Sequence, residues 1–233
     1  FYAFVGLSLL AKGLVGIVIP FGVVGAYYLL RRMLPARSVW LSLFWGVPLA
    51  LAVSAVWYGP VIAKHGWTFM DEFFVQHHFA RYVSNKYHHP QPIYFYPVII
   101  LMLALPWSGH LVSALAKVPR WEWRGDDSLS LVRLFSLAWL LLPLVFFSFS
   151  GSKLPGYVLP ALPGAAWLVS DRLTFARNAK WPLLIAGATL AAVLVVLNFF
   201  AAPYARRESV RDLLLLADAR GYANAPVLAQ RSD

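Results

Sequence analysis

Apolar residues come in runs far longer than an amphipathic period, and polar residues are confined to the gaps between them. Gly13 to Leu30 is the first complete run, closed by Arg31 and Arg32, and Val39 to Tyr58 is the second. Ile93 to Ser108 is a shorter third, Leu131 to Phe147 a fourth, Tyr157 to Ser170 a short fifth and Trp181 to Ala201 a sixth. Runs of about 20 apolar residues match the hydrocarbon core of a bilayer. Only elements that satisfy their own backbone hydrogen bonds cross lipid, so the pattern predicts an all-α polytopic membrane protein built as a transmembrane helix bundle. Ahead of the series, Phe1 to Ala11 is an apolar half-span that lacks the charged start and cleavage site of a signal peptide. It reads as part of a longer protein.

Composition agrees with the pattern. Hydrophobic residues make up 60% of the chain and charged residues 13%, where soluble proteins carry about a quarter charged. The net charge of +10 is spread over separate linkers, whereas a nucleic-acid binder gathers its cations on one accessible face. No nucleic-acid partner is expected. With no cysteine in the chain, disulfides and thiolate metal sites are excluded.

The cations also orient the spans. Arg31, Arg32 and Arg37 follow span one, Lys117, Arg120 and Arg124 follow span three, and Arg172, Arg177 and Lys180 follow span five. Positive charge favours the cytoplasmic side. Lys12, the loop 59–92, the segment 150–156 and the chain after Ala202 then face the other side, which in a bacterial inner (plasma) membrane is the periplasm. The linker from Lys117 to Asp127, with Trp121 and Trp123, reads as interfacial and receives no chemistry. Val210, Leu213, Leu214 and Ala217 are spaced as on a helix, and Ala225-Pro226-Val227 could follow as a strand. The expected organisation is a bundle over 1–201, including the loop 59–92, followed by the start of a soluble periplasmic domain over 202–233.

Two regions carry candidate chemistry. The loop 59–92 holds five of the six histidines, with Asp71, Glu72 and Arg81. An uninterrupted stretch predicts a helix from about Thr68 to Asn85, and Phe74, His78, Arg81 and Asn85 share one of its faces. Imidazoles and carboxylates bind divalent metals, and His78 and His89 are the least arbitrary ligand candidates. Neighbouring histidines on a helix diverge, however, and the pairs are not a ligand spacing in themselves. The second region is Phe147 to Pro160, which sets Lys153 and Tyr157 between two apolar runs beside prolines that prevent regular helix. A cation at a bilayer boundary is suited to meet an anion. The alternatives are a snorkelling Lys12, an Arg81 paired with Asp71 or Glu72, and an interfacial anchor pair at Lys153 and Tyr157.

Four pieces in order resemble a known family. They are Leu10-Ala11-Lys12-Gly13; Phe73-Phe74 with His78-Phe79-Ala80-Arg81-Tyr82; Pro92-Ile93-Tyr94-Phe95-Tyr96-Pro97 running to Leu105-Pro106-Trp107; and Ser152-Lys153-Leu154-Pro155-Gly156-Tyr157-Val158-Leu159-Pro160. They are similar to lipid-carrier-dependent glycosyltransferases of the C type, including aminoarabinose transferases of lipid A and bacterial relatives of protein O-mannosyltransferases. The resemblance implies a polytopic enzyme that moves a sugar from a polyprenyl phosphate donor to a periplasmic acceptor, whether lipid A, a protein hydroxyl or an envelope glycan. It places Lys12, Arg81, Lys153 and Tyr157 around the donor phosphate and allows a divalent metal near the loop. It also puts the catalytic aspartate upstream of Phe1, so Asp71 and Glu72 are not assigned that role and this stretch alone is expected to be inactive.

The same residue types suit that chemistry on physical grounds. A polyprenyl phosphosugar needs an apolar groove for its tail and fixed cations for a phosphate that leaves as the glycosidic bond breaks. Arginine grips phosphate through two parallel hydrogen bonds and lysine as a point charge. The competing class is a transporter or anion-binding membrane protein without catalysis. Transporters tend to place polar residues at mid-membrane in inverted repeats, whereas here they gather at one face.

Overall fold

The computed structural model describes residues 1–70, 91–174, 180–201 and 210–221, and every ordered element among them is helical. The contacts divide the chain into two compact units, 1–177 and 178–233. In the first, α1 (Tyr2–Lys12) ends at Gly13, whose φ of 61° is left-handed, and α2 (Val15–Arg31) turns back from it. Next, α3 (Arg37–Met70) runs well past the expected end at Tyr58 and breaks at Gly66, where φ is 63°. Beyond this break Phe69 folds back to pack edge-on against Trp57, with ring centroids 6.0 Å apart. The helix expected from Thr68 to Asn85 lies outside the described residues after Met70.

The third apolar run departs from expectation. It forms two short helices, α4 (Phe95–Leu103) and α5 (Ser108–Ala116), and the apolar passage extends to Ala116 instead of ending at Ser108. Pro106 lacks the N–H that would continue the ladder. The Leu105 N–H turns back to the Met102 carbonyl at 3.2 Å, and the Ser108 hydroxyl donates to the freed Leu101 carbonyl at 2.6 Å. A 3-10 turn at Val118–Arg120 leads into the polar linker.

Helix α6 (Ser128–Ser148) begins where Asp127 accepts the Ser130 N–H at 3.0 Å, a side-chain cap for an otherwise unpaired donor. Hydrogen bonds from Ser130 hold the Asp127 carboxyl below the usual carboxylate range. The fifth run starts as a 3-10 segment, Pro155–Ala161, and only then becomes α7 (Leu162–Thr174). Prolines at 155, 160 and 163 account for that beginning, since each removes a backbone donor. In the second unit, α8 (Lys180–Val196) widens into a π turn at Leu197–Ala201, and α9 is Val210–Ala219.

Small residues let the first helices approach closely, as is common between helices in lipid. Gly6 lies against the Ala50 carbonyl of α3, and Gly46 lies against the ring of Tyr2. Two hydrogen bonds pin the pair: the Tyr2 and Ser42 hydroxyls meet at 2.6 Å, and the Tyr58 hydroxyl donates to the Leu9 carbonyl at 3.1 Å. Helices α2 and α6 run antiparallel, with Gly22 against Leu142, Tyr27 against Phe135 and Arg31 against Asp126. The core at the centre joins Ile19 and Val23 of α2 to Ile100, Leu111, Leu140 and Leu168.

The outside of the first unit is apolar. Phe4, Leu29, Phe44, Trp45 and Val56 are exposed, while Ser54, Ser136 and Asp171 are buried. Water would make that arrangement unfavourable, and hydrocarbon accepts it. Among the described residues three helices are long and apolar enough to cross a membrane: Arg37–Gly66, Ser128–Ser148 and Lys180–Phe199.

Candidate functional site

The antiparallel run of α2 and α6 fixes which residues share an end of the first unit. Lys12 and the Ser150–Tyr157 segment lie at one end, and Arg31, Arg32 and the linker 117–127 lie at the other. The sequence-derived side assignment requires this separation of Lys12 and Lys153 from the arginine-rich linkers.

Lys12 is exposed on the last turn of α1. It borders a groove of about 460 Å³ whose walls come from α1, α2, α6 and the chain around Pro160 and Pro163. Val15, Ile19, Val23, Val24, Phe135 and Trp139 make that groove apolar along its length. Gly16 allows it to form, because a methyl group there would collide with the Ser8 carbonyl. Lys12 has no ion pair with any described residue. A cation on the rim of a long apolar groove suits an amphiphile with an anionic head.

The Lys153 segment is held by side chains from elsewhere, since its prolines leave few backbone bonds of its own. The Ser150 hydroxyl donates to the Ser152 carbonyl at 3.0 Å. Tyr96, fully buried on α4, donates its hydroxyl to the Leu154 carbonyl at 3.2 Å, and the Tyr157 N–H reaches the same oxygen at 3.1 Å. Trp139 donates its indole N–H to the Pro160 carbonyl at 2.8 Å. Lys153 is therefore carried on a backbone fixed on both sides. The ring of Tyr157 packs on Phe147 with centroids 5.4 Å apart. Ser152 is fully buried, and its hydroxyl has no hydrogen-bond partner among the described residues.

The structure thus brings Lys12, Lys153 and Tyr157 to one end of the bundle, although only Lys12 lines the groove. Arg81, His78 and His89 lie outside the described residues, as do Asp71 and Glu72. Among the described residues no cluster of three or more histidines or carboxylates could hold a metal ion. Sequence reasoning missed Tyr96, Trp139 and Ser150, which position the site. One signal was available: a proline-rich segment with unpaired carbonyls, set between two apolar runs, needs side-chain donors.

Apolar outer walls and helical spans define a polytopic membrane protein, with one lysine on the rim of an apolar groove. No protein-family model matches the chain. It is 33% identical over 168 residues to an undecaprenyl phosphate-alpha-4-amino-4-deoxy-L-arabinose arabinosyl transferase of Erwinia tasmaniensis, covering 71% of this chain and 28% of that protein. With the enzyme of the same name from Pseudomonas paraeruginosa, identity is 34% over 170 residues, covering 72% and 29%. The crystal structure of ArnT from Cupriavidus metallidurans bound to undecaprenyl phosphate matches with a TM-score of 0.63 at 28% identity, over 84% of this chain and 34% of that one. The chain resembles lipid-carrier-dependent glycosyltransferases over most of its length, and it spans less than a third of the length of these two curated relatives.

Proposed function

We propose that the chain is part of an integral inner-membrane glycosyltransferase that takes a sugar from a polyprenyl phosphate carrier and places it on a periplasmic acceptor. The observation that carries this reading is the position of Lys12, a cation on the rim of an apolar groove with no ion pair among the described residues. The groove takes the first prenyl units of the tail and Lys12 meets the phosphate. Lys153 on its fixed backbone, Tyr157 and Arg81 complete the cradle. In transfer, the anomeric carbon bonds to the acceptor oxygen as its bond to the phosphate oxygen breaks. The acceptor's proton passes to a base that no residue of this chain is assigned to supply, and the carrier phosphate leaves. Fixed cations favour this step by stabilising charge that grows on the phosphate. Support also comes from relatives named for an undecaprenyl phosphate-linked aminoarabinose and from the similarity to a structure with undecaprenyl phosphate bound. The transporter alternative has no comparable support.

Binding of the carrier tests the reading. The full-length protein should bind undecaprenyl phosphate much more tightly than undecaprenol, and Lys12→Ala should weaken the phosphate form alone. A hydrogen bond to a charged group contributes about 1.5–3 kcal/mol, so roughly a tenfold to hundredfold loss is expected. Equal affinity of parent and variant for both lipids would remove Lys12 from the site.

A further inference from the structure

The end of the first unit opposite Lys12 has its own cavity, which the proposed transfer does not use. It measures about 690 Å³ and is lined by Leu29, Leu30, Arg31, Arg32, Trp123 and Arg124. We propose that it binds the phosphate headgroup of an anionic glycerophospholipid, at the membrane face opposite the carrier groove.

The cavity is built around Arg31. This side chain is 91% buried, yet it is charged, and it joins the end of α2 to the linker before α6. One guanidinium nitrogen donates to the Tyr27 hydroxyl at 3.2 Å; the other donates to the Gly125 carbonyl at 3.3 Å and the Asp126 carboxylate at 2.6 Å. Those bonds bring Trp123 and Arg124 over the end of α2. The Nε–H of Arg31 is buried and has no hydrogen-bond partner among the described residues. Burying such a donor unpaired is costly, which favours an acceptor oxygen at this place.

Charge and shape then select the ligand. Asp126 is engaged by Arg31, while Arg32 and Arg124 are exposed and make no ion pair with any described residue. Arg32 also adopts a left-handed φ of 53° at the end of α2, where glycine is the unstrained choice. The remaining lining is a leucine pair from an apolar helix, with Leu29 77% exposed, and a half-buried tryptophan. A free anion needs only the guanidinium groups. A lipid also uses the leucines, along which its acyl chains can lie, and the indole, which suits headgroup depth. Arginines between membrane helices are a recurrent way of holding phospholipid headgroups.

The test is native mass spectrometry of the full-length protein released from nanodiscs containing phosphatidylglycerol or phosphatidylcholine. Phosphatidylglycerol should be retained and phosphatidylcholine lost. Arg32→Gln with Arg124→Gln should weaken retention about 25-fold, at about fivefold for each charge near the membrane surface. The Lys-for-Arg pair should keep most of it, and both pairs should melt with the parent in phosphatidylcholine because the side chains are exposed. Lys117→Gln with Arg120→Gln, on the same face, should leave retention unchanged. An equal loss in that second pair would make the effect a diffuse surface potential. Equal retention of the two lipids, or displacement of phosphatidylglycerol by excess inorganic phosphate, would also overturn the proposal. Lys12→Ala should not alter phosphatidylglycerol retention, so failure here is distinct from failure of the carrier groove.

Discussion

Arg133 of α6 and Asp171 of α7 meet in a two-point ion pair, Nε to Oδ2 at 3.1 Å and Nη2 to Oδ1 at 3.0 Å, with the aspartate side chain 95% buried. The planar fork of arginine fits a carboxylate in this way, and lysine does not reproduce it. Asp171→Ala leaves the arginine without its carboxylate, and removing one partner of a buried pair costs about 3 kcal/mol or more. Thermal unfolding in detergent should show that loss. Replacing both residues with leucine should cost less than the aspartate change alone. A double variant as unstable as the sum of the two singles would show that the pair is uncoupled.

The approach of α1 to α2 depends on Gly16. An added methyl meets the backbone of Ser8 and Leu9, which cannot rotate away. Gly16→Ala should therefore destabilise by about 1–3 kcal/mol, the usual range for overpacking. It should also weaken carrier binding by shifting Lys12. Gly25→Ala, where no atom lies within 4 Å, should be neutral or slightly stabilising, since alanine favours helix. Equal effects at the two sites would rule out close packing as the role of Gly16.

Lys153 and Tyr157 should separate stability from activity. Tyr157→Phe keeps the ring that packs on Phe147 and removes only the hydroxyl, so transfer should slow more than the melting temperature falls. Lys153→Ala should lower the full-length enzyme's rate by roughly 10² or more, as loss of a donor aimed at developing charge does. Normal turnover in Lys153→Ala would reduce that lysine to an interfacial anchor.

Side assignment is open to a direct test, because the chain contains no cysteine. A cysteine at exposed Gly156 should react with a membrane-impermeant reagent in spheroplasts, and one at exposed Ser128 should not. Ser152 is a poor place for the label, since it is fully buried. The reverse pattern would turn the bundle over and move the groove of Lys12 to the cytoplasm.

Much of this architecture is legible in the sequence because lipid imposes a simple rule, that long apolar runs become helices. Val15–Arg31, Ser128–Ser148 and Lys180–Val196 lie close to the runs that predict them. The rule fails where backbone chemistry interrupts it, at Pro106 and along Pro155–Pro163, because hydropathy does not register a missing N–H. Lys12 stood out as a charge at the end of an apolar half-helix, but the groove beside it did not, since its walls come from four separate segments. Trp139 and Tyr96 were also hidden. Their partners are 21 and 58 residues away in sequence, and no local pattern encodes such a bond.

The joint between α4 and α5 divides into two rods a passage that α6 makes as one. Helix α6 is one rod of 21 residues, about 31 Å long at 1.5 Å per residue, close to the roughly 30 Å of a hydrocarbon core. Its neighbour crosses as two rods of nine residues joined at Leu105-Pro106. When the bilayer thins or thickens, the rod can only tilt as a whole, whereas the two short pieces can change their mutual angle. The jointed span also carries Tyr96, whose hydroxyl donates to the carbonyl of Leu154, next to Lys153, so a change of angle at the joint would bear on the segment that holds Lys153.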